Sequence, residues 1–217
     1  MQTAQTRLSI LKQKSEHEKN YTFKRLYRNL YNQEFYLRAY QKLHAKEGNL
    51  TPGIDNTTID GFSLQTAQKL IKQLKTRQYK PKPSKRIYIQ KKNGKLRPLG
   101  IPCFEDKLIQ EILREILEAI YEPIFCETSH GFRPNRSCHT ALQQIKNKST
   151  GTNYVIEGDI TGFFENIDHD ILIQVLSQKI KDGRILKLIR QLLKAGYFDL
   201  NEVHNSLSGT PQGSARP

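Results

Sequence analysis

The chain has 217 residues, enough for one large domain or two small ones, and it is strongly basic, with a formal net charge of +14. No apolar run approaches the roughly 18 residues that a membrane helix needs, and the first twenty residues are too polar for a secretion signal. The three cysteines lack the paired spacing of a disulfide framework, which fits a reducing compartment. These features predict a soluble protein that is not exported.

The positive charge is concentrated in one stretch of the chain. Residues 69–97 contain 12 Lys and Arg and no Asp or Glu, whereas residues 98–217 are close to neutral. A charge run is often only a solvated surface, but acids would normally alternate with the bases to relieve their repulsion. We therefore expect a polyanion to bind the front half of the chain and chemistry to take place in the back half.

The first predicted elements are helical. Apolar residues at approximately helical spacing predict a helical region over residues 21–46, and a turn-rich stretch follows over residues 49–60. Ser63 is a suitable N-cap for a helix whose apolar face lies within residues 64–74.

A β-hairpin is predicted next. Residues 84–90 alternate between two faces, Asn93-Gly94 is a strong hairpin-turn signal, and residues 96–101 form the returning strand.

The back half is predicted to mix helices with a strand and irregular segments. The expected elements are helices at residues 104–121, 137–146, 167–181 and 184–195, a buried strand at residues 154–160, and an irregular loop at residues 125–137. Because helices and strands do not alternate regularly, the predicted fold class is α+β.

One segment suggests metal chemistry. Asp159 follows the predicted strand and precedes a turn of small residues, which would project its carboxylate into a cleft. Carboxylate oxygens suit Mg²⁺, although an Asp after a strand is as often a helix cap or turn residue. His169, between two acids, is expected at a helix start rather than in catalysis.

Four segments in order resemble the reverse transcriptases of group II introns: residues 91–102, 129–142, 157–169 and 209–213. The resemblance covers about residues 21–213. It implies a right-hand polymerase with an N-terminal helical extension in residues 1–60, fingers in residues 61–150 and the start of the palm in residues 151–217, which returns toward the fingers at its end.

The resemblance also assigns roles at the reaction centre. It implies that Asp159 binds a catalytic metal, assisted by the backbone carbonyl of Ile160. Phe164 matches the aromatic gate that leaves no room for a ribose 2′-hydroxyl, while Phe163 is expected to pack in the core. The residues implied to contact the incoming nucleotide are Lys91, Arg97 and Gln212, together with Ile160 and Phe164.

Template and RNA contacts are expected from basic residues. Lys85 and Arg86 lie in the basic stretch, and Arg133 and Arg136 lie in the second resembling segment. Arg136 has an alternative role, because it could pair with Glu122 or Glu127.

The resemblance implies RNA-directed DNA synthesis that uses deoxynucleoside triphosphates and Mg²⁺, with Mn²⁺ as an alternative. The implied partners are a group II intron RNA and a template–primer duplex, within a ribonucleoprotein of the bacterial cytoplasm, with no membrane. A truncated palm would expose apolar surface through which the chain could form a homodimer.

One part of the family pattern is absent from the sequence. The second catalytic segment, an aromatic residue followed by x-Asp-Asp, does not occur, so we expect this chain to bind RNA but not to polymerise DNA. Three alternatives stay open at this point: a purely RNA-binding splicing module, a reverse transcriptase of a diversity-generating or defence-associated element, and a metal-dependent nuclease.

Overall fold

The computed structural model describes residues 2–46, 48–90, 94, 96–206 and 208–210. Its α-helices are α1 (Ala4–His17), α2 (Gln33–His44), α3 (Leu64–Lys75), α4 (Phe104–Tyr121), α5 (Cys138–Lys148), α6 (His169–Lys179) and α7 (Gly183–Leu193). The strands are β1 (Ser84–Gln90), β2 (Leu96–Ile101), β3 (Tyr197–Asp199) and β4 (Glu202–His204). The α+β class is confirmed, whereas the right-hand arrangement and its domain boundaries stay a prediction.

Polar side chains at the helix starts explain why several predictions were accurate. Ser63 accepts a hydrogen bond from the Thr66 amide at 3.1 Å, and Ser137 forms a capping box with Thr140. Asp168 accepts from two amides in the first turn of α6. Each cap satisfies amides that have no partner inside the helix, so these starts are encoded locally.

The core is built around α4, whose apolar face includes the fully buried Leu108, Ile109, Ile112 and Ile116. Helices α1 and α2 pack against α4. Three carboxylates on α4 are also buried, Asp106, Glu111 and Glu115. Two of them form ion pairs: Glu115 lies 2.5 Å from Lys42 Nζ, and Glu111 lies 2.7 Å from Arg114. Pairing is required because an isolated buried charge would be costly.

Among the described residues, four strands form one mixed sheet in the order β2-β1-β3-β4. β1 pairs antiparallel with β2, as the hairpin prediction required, and parallel with β3, while β3 and β4 pair antiparallel. Strands β3 and β4 were not predicted. Their turn uses Leu200 and Asn201 with positive φ values of 47° and 66°, a primed-turn geometry that Asn tolerates but Leu rarely marks.

Two further predictions are corrected by the structure. Helix α1 was not predicted, and the helical region at residues 21–46 is interrupted: a 3₁₀ helix (Leu26–Tyr31) precedes α2, whose start is capped by Asn32. The cap explains the interruption, because the Asn32 side chain accepts a hydrogen bond from the Glu34 amide and a new helix begins there.

The prediction of a buried strand at residues 154–160 is wrong for the described structure. The segment has no strand pairing, and Tyr154, Val155 and Ile156 are 89%, 86% and 97% exposed. An apolar run becomes a buried strand only when neighbouring strands supply hydrogen bonds and cover its faces, and the described sheet does not include it. Within the described residues, no helix has both the length and the apolar character needed to cross a membrane.

Candidate nucleotide site and nucleic-acid surface

The turn that follows Asp159 is held by one carbonyl. The Gly162 carbonyl accepts hydrogen bonds from the amides of Glu165 and Asn166 and from Asn166 Nδ2, each at 3.0 Å. Gly162 has a φ of +63°, a conformation that favours glycine. This tight turn leaves the side chains of Phe163 and Phe164 half-exposed, so the predicted core packing of Phe163 is wrong.

Phe164 makes aromatic contacts with two other residues. Its ring lies edge-to-face with Phe163 at 5.5 Å between centroids and edge-to-face with Phe132 at 6.3 Å. Phe132 belongs to the irregular loop at residues 125–137 and has a positive φ of 57°. The second and third resembling segments therefore meet at the ring of Phe164.

The fourth segment reaches the same turn. The Gly209 amide donates to the Ile167 carbonyl and the Thr210 amide donates to the Phe164 carbonyl, both at 2.8 Å. A Cβ atom at Gly209 would lie 2.6 Å from the Glu165 carbonyl oxygen, so only glycine fits this approach.

A cleft of about 480 Å³ connects this turn with the β-hairpin. Its walls include Arg86 of β1, Pro98 and Gly100 of β2, Tyr197 of β3 and Thr210. The first resembling segment therefore faces the fourth across the cleft. Lys91 and Gln212, which the resemblance assigns to the nucleotide, lie outside the described residues.

Asp159 and Ile160 provide part of a metal site. Both residues are exposed, and in the described part of the chain no hydrogen bond occupies the Ile160 carbonyl. A carboxylate and a free carbonyl are hard oxygen donors that fit Mg²⁺. Over the described ranges, however, no group of three or more His, Cys, Asp or Glu comes together. The residues fit one carboxylate ligand and not a complete two-metal centre.

The two basic residues of β1 lie on opposite faces of the sheet, because successive strand residues alternate. Arg86 faces the cleft, and its guanidinium carbon lies 3.4 Å from the centroid of the Tyr197 ring. Lys85 lies on the other face, which it shares with Arg97, since Arg97 aligns with Ile89. The sequence grouped Lys85 with Arg86, but the structure places Lys85 with Arg97.

The Arg86 face of the sheet carries a stack of side chains. Tyr197 lies between the Arg86 guanidinium and the ring of His204, with 5.0 Å between the two ring centroids. The Tyr88 hydroxyl donates to Asp199 at 2.5 Å, and this hydrogen bond raises the pKa of Tyr88. These contacts attach β3 to the hairpin.

Arg133 and Arg136 have different environments. Arg133 is almost buried, donates to both carboxylate oxygens of Glu122, and also donates to the carbonyls of Cys126, Ser129 and Glu122. All of its donors are used, so the predicted phosphate contact by Arg133 is not available in this conformation. Arg136 is half-buried and donates to the backbone carbonyl of Glu127 at 3.3 Å. Among the described residues it forms no ion pair with the carboxylate of Glu122 or Glu127, and Glu122 pairs with Arg133 instead.

A buried acid anchors the basic stretch to the core. Asp106 of α4 accepts hydrogen bonds from the Tyr79 hydroxyl and from the Lys82 amide. Burial raises the pKa of Asp106 to about 6, although both hydrogen bonds oppose the shift. The chain that leads into β1 is thereby fixed on α4.

Sequence reasoning missed a second role for His169. The prediction that it begins a helix is confirmed, since α6 starts at His169. The side chain is also buried, and its Nε2 lies 2.7 Å from the Gly209 carbonyl oxygen. No local pattern signals a contact with a residue 40 positions away.

The motifs and the geometry agree with a comparison to known families. A family model described as "Reverse transcriptase (RNA-dependent DNA polymerase)" matches residues 89–216. The chain belongs to the reverse transcriptase family.

Relatives add detail about the type of reverse transcriptase. The chain is 50% identical over 207 residues to the group II intron-encoded protein LtrA of Lactococcus lactis subsp. cremoris, covering 95% of this chain and 35% of that protein. It is 47% identical over 212 residues to an uncharacterized 91 kDa protein in the cob intron of Schizosaccharomyces pombe, covering 95% and 26%. The predicted resemblance to group II intron reverse transcriptases is confirmed, and the chain spans about a third or less of the length of these relatives.

A more distant relative is the nuclear intron maturase 1, mitochondrial, of Arabidopsis thaliana. It is 36% identical over 93 residues, which cover 43% of this chain and 13% of that protein.

Proposed function

We propose that this chain supplies the fingers and the first part of the palm of an RNA-directed DNA polymerase that binds group II intron RNA. The observation that carries the proposal is the meeting of distant segments at Phe164, where residues 129–142 and 209–210 contact the turn after Asp159. The β-hairpin closes the other side of the cleft. Such convergence is what a nucleotide site needs to align its reactants.

In this proposal different residues bind the metal, the sugar and the triphosphate. Asp159 and the Ile160 carbonyl hold Mg²⁺, or Mn²⁺, which would supply charge stabilisation for phosphoryl transfer. Phe164 lies against the sugar and excludes a 2′-hydroxyl. Lys91 neutralises the triphosphate, and Gln212 contacts the same nucleotide. Arg97 joins Lys91 in this role only if the hairpin moves when the nucleotide binds, because Arg97 lies on the sheet face opposite the cleft. The substrates are deoxynucleoside triphosphates on an RNA template.

RNA is held by the basic surface in this proposal. Residues 69–97 carry 12 Lys and Arg without an acid, Lys85 and Arg86 belong to this stretch, and Arg86 also lines the cleft. Arg136, on the irregular loop at residues 125–137, is assigned to a further RNA contact. Because Arg133 is tied to Glu122, we assign it to holding the loop rather than to the template. The partners are intron RNA and a template–primer duplex, within a ribonucleoprotein of the bacterial cytoplasm.

Primer extension with the full-length gene product tests the catalytic part. Asp159→Asn removes the metal-binding charge and should lower templated DNA synthesis by at least about a hundredfold. Glu157→Gln is the matched control, because it neutralises another exposed carboxylate two residues away, and its activity should stay within about twofold of the unaltered protein. Equal losses in both variants would contradict the assignment of Asp159.

The 217-residue chain itself is expected to bind RNA without polymerising. Asp159 alone cannot hold two metals, so templated synthesis by the purified chain would overturn this expectation. The exposed apolar residues Tyr154, Val155 and Ile156 offer a surface for self-association, and sedimentation at increasing concentration would show whether dimers form.

A second candidate function is a purely RNA-binding splicing module, favoured by the net charge of +14. Binding to the intron RNA should weaken steeply with salt, because phosphate contacts release counterions. Strong, salt-sensitive binding to one intron RNA, in a full-length protein without DNA synthesis, would favour this candidate over the polymerase.

A further inference from the structure

The starting observation is that His169 is buried although it begins a helix. The side chain is 3% exposed, and Nε2 lies 2.7 Å from the Gly209 carbonyl oxygen. A carbonyl oxygen only accepts, so Nε2 must carry the hydrogen. Nδ1 is buried and has no hydrogen-bond partner among the described residues. The imidazole is therefore oriented toward Gly209 by a single bond.

Gly209 has little freedom to move elsewhere. It is buried, its amide donates to the Ile167 carbonyl at 2.8 Å, and there is no space for a Cβ atom beside Glu165. If His169 did not donate, the buried carbonyl of Gly209 would lose its partner. The backbone at residues 208–210 would then have to shift to satisfy that oxygen.

Such a shift would be transmitted to Phe164. The Thr210 amide donates to the Phe164 carbonyl at 2.8 Å, so residues 209 and 210 hold the backbone that carries this aromatic ring. The other support of the ring is edge-to-face contact with Phe132 and Phe163, which tolerates rotation better than a buried hydrogen bond does.

We propose that His169 is a positioning residue for sugar selection: by holding the Gly209 carbonyl it fixes the backbone of Phe164 and thereby the place of the Phe164 ring. The inference rests on the proposed function, in which that ring excludes the ribose 2′-hydroxyl. His169 does not touch the nucleotide and acts only through Gly209 and Thr210.

The experiment compares three variants of the full-length protein. His169→Phe keeps a planar ring but removes the donor, and His169→Gln places an amide donor close to the position of imidazole Nε2. His17→Phe is the matched control, because His17 is exposed at the end of α1. Two quantities are measured: hydrogen exchange of the peptide that contains Gly209 and Thr210, and the ratio of kcat/KM for a deoxynucleoside triphosphate to that for the matching ribonucleoside triphosphate.

In His169→Phe we expect exchange of that peptide to become about tenfold faster and the ratio to fall about tenfold. His169→Gln and His17→Phe should stay within about threefold of the unaltered protein in both measurements. A His169→Phe variant that loses activity toward both nucleotides equally, with an unchanged ratio, would overturn the proposal, as would a Gln variant as impaired as the Phe variant.

If His169→Phe does not fold, His169→Asn decides the question. Its shorter amide does not reach the Gly209 carbonyl, so a folded Asn variant should show the same fast exchange and low ratio. A ratio unchanged in folded His169→Asn would overturn the proposal.

Phe164→Val separates this inference from the proposed function. If that substitution in the unaltered background leaves the ratio unchanged, Phe164 is not the sugar gate, and both that part of the proposed function and the role of His169 are wrong. If it lowers the ratio while the His169 variants do not, only the role of His169 is wrong.

Discussion

The helical body around α4 and the region around Phe164 are organised differently. In the body, apolar residues such as Ile112 and Ile116 are completely buried, and the buried Glu111 and Glu115 form ion pairs. Near the candidate site, Ile156 and Val155 are almost fully exposed, and the segments are joined by a few backbone hydrogen bonds and ring contacts. The body is stabilised by its own packing, whereas the site leaves surface and backbone groups available for ligands.

The largest difference in the free energy of unfolding is expected between two isoleucine substitutions, one in the helical body and one near the candidate site. Ile112→Ala opens a cavity in the core and should reduce the free energy of unfolding by about 3 kcal/mol. Ile156→Ala removes a side chain that is 97% exposed and should change it by less than about 0.5 kcal/mol. Urea unfolding of both variants measures the difference, and a similar loss in both would mean that residues 154–156 are covered in solution.

The next largest effect is expected from Asp106 on α4, through the dependence of the free energy of unfolding on pH. Burial raises the pKa of Asp106 to about 6 in the folded state, above its ordinary value of 3.8. The folded chain therefore binds a proton that the unfolded chain does not, so this contribution to stability is fully present below about pH 4 and is lost as pH rises through about 6.

Asp106→Asn should remove that dependence. Between pH 7 and pH 4 the unaltered protein should gain on the order of 2 kcal/mol relative to the Asn variant, as measured by unfolding at both pH values. Parallel stability curves for the two proteins would show that Asp106 is solvated. The Tyr79→Phe variant is a useful second test, because it removes the hydroxyl that donates to Asp106.

The loop that carries Phe132 lies between the helical body and the candidate site, and substitution of its two arginines separates internal contacts from RNA contacts. Arg133→Met removes the ion-pair partner of Glu122 and the hydrogen bonds to three carbonyls, and should reduce the free energy of unfolding by about 2 kcal/mol. Arg136→Met loses one hydrogen bond at the surface and should cost less than about 0.5 kcal/mol. For RNA affinity we expect the opposite order, so a larger loss of RNA binding in folded Arg133→Met would contradict the internal role of Arg133.

The smallest effect is expected at the aromatic contact. Phe132→Ala removes one edge-to-face partner of Phe164 and should lower the free energy of unfolding by less than about 1 kcal/mol, because the Phe132 ring is 69% exposed. Calorimetry of this variant beside Phe125→Ala, which removes the ring beneath Arg133, would rank the two contacts. A loss at Phe132 as large as at a core position would show that the loop is folded more tightly than its exposure indicates.

Local chemistry allowed much of the fold to be predicted. α3, α4 and the β-hairpin follow from caps and periodicity, and the irregular loop at residues 125–137 was also foreseen. The prediction of a strand at residues 154–160 was wrong because strand formation depends on neighbouring strands. The apolar character of the segment is a local pattern and does not supply those neighbours. The pairing of β3 with β1 is likewise a contact between residues more than 100 positions apart.

The amino-acid sequence by itself determined the starts of α3 and α5, the concentration of positive charge and the ordered motifs that show the reverse transcriptase family. Only the tertiary structure decided that Phe132, Phe164 and Thr210 meet, that Arg133 is used internally, and that His169 holds Gly209. The physical reason is the separation along the chain over which each interaction acts. Caps and alternation act over a few residues, whereas the partner of a buried donor depends on the path of the whole chain.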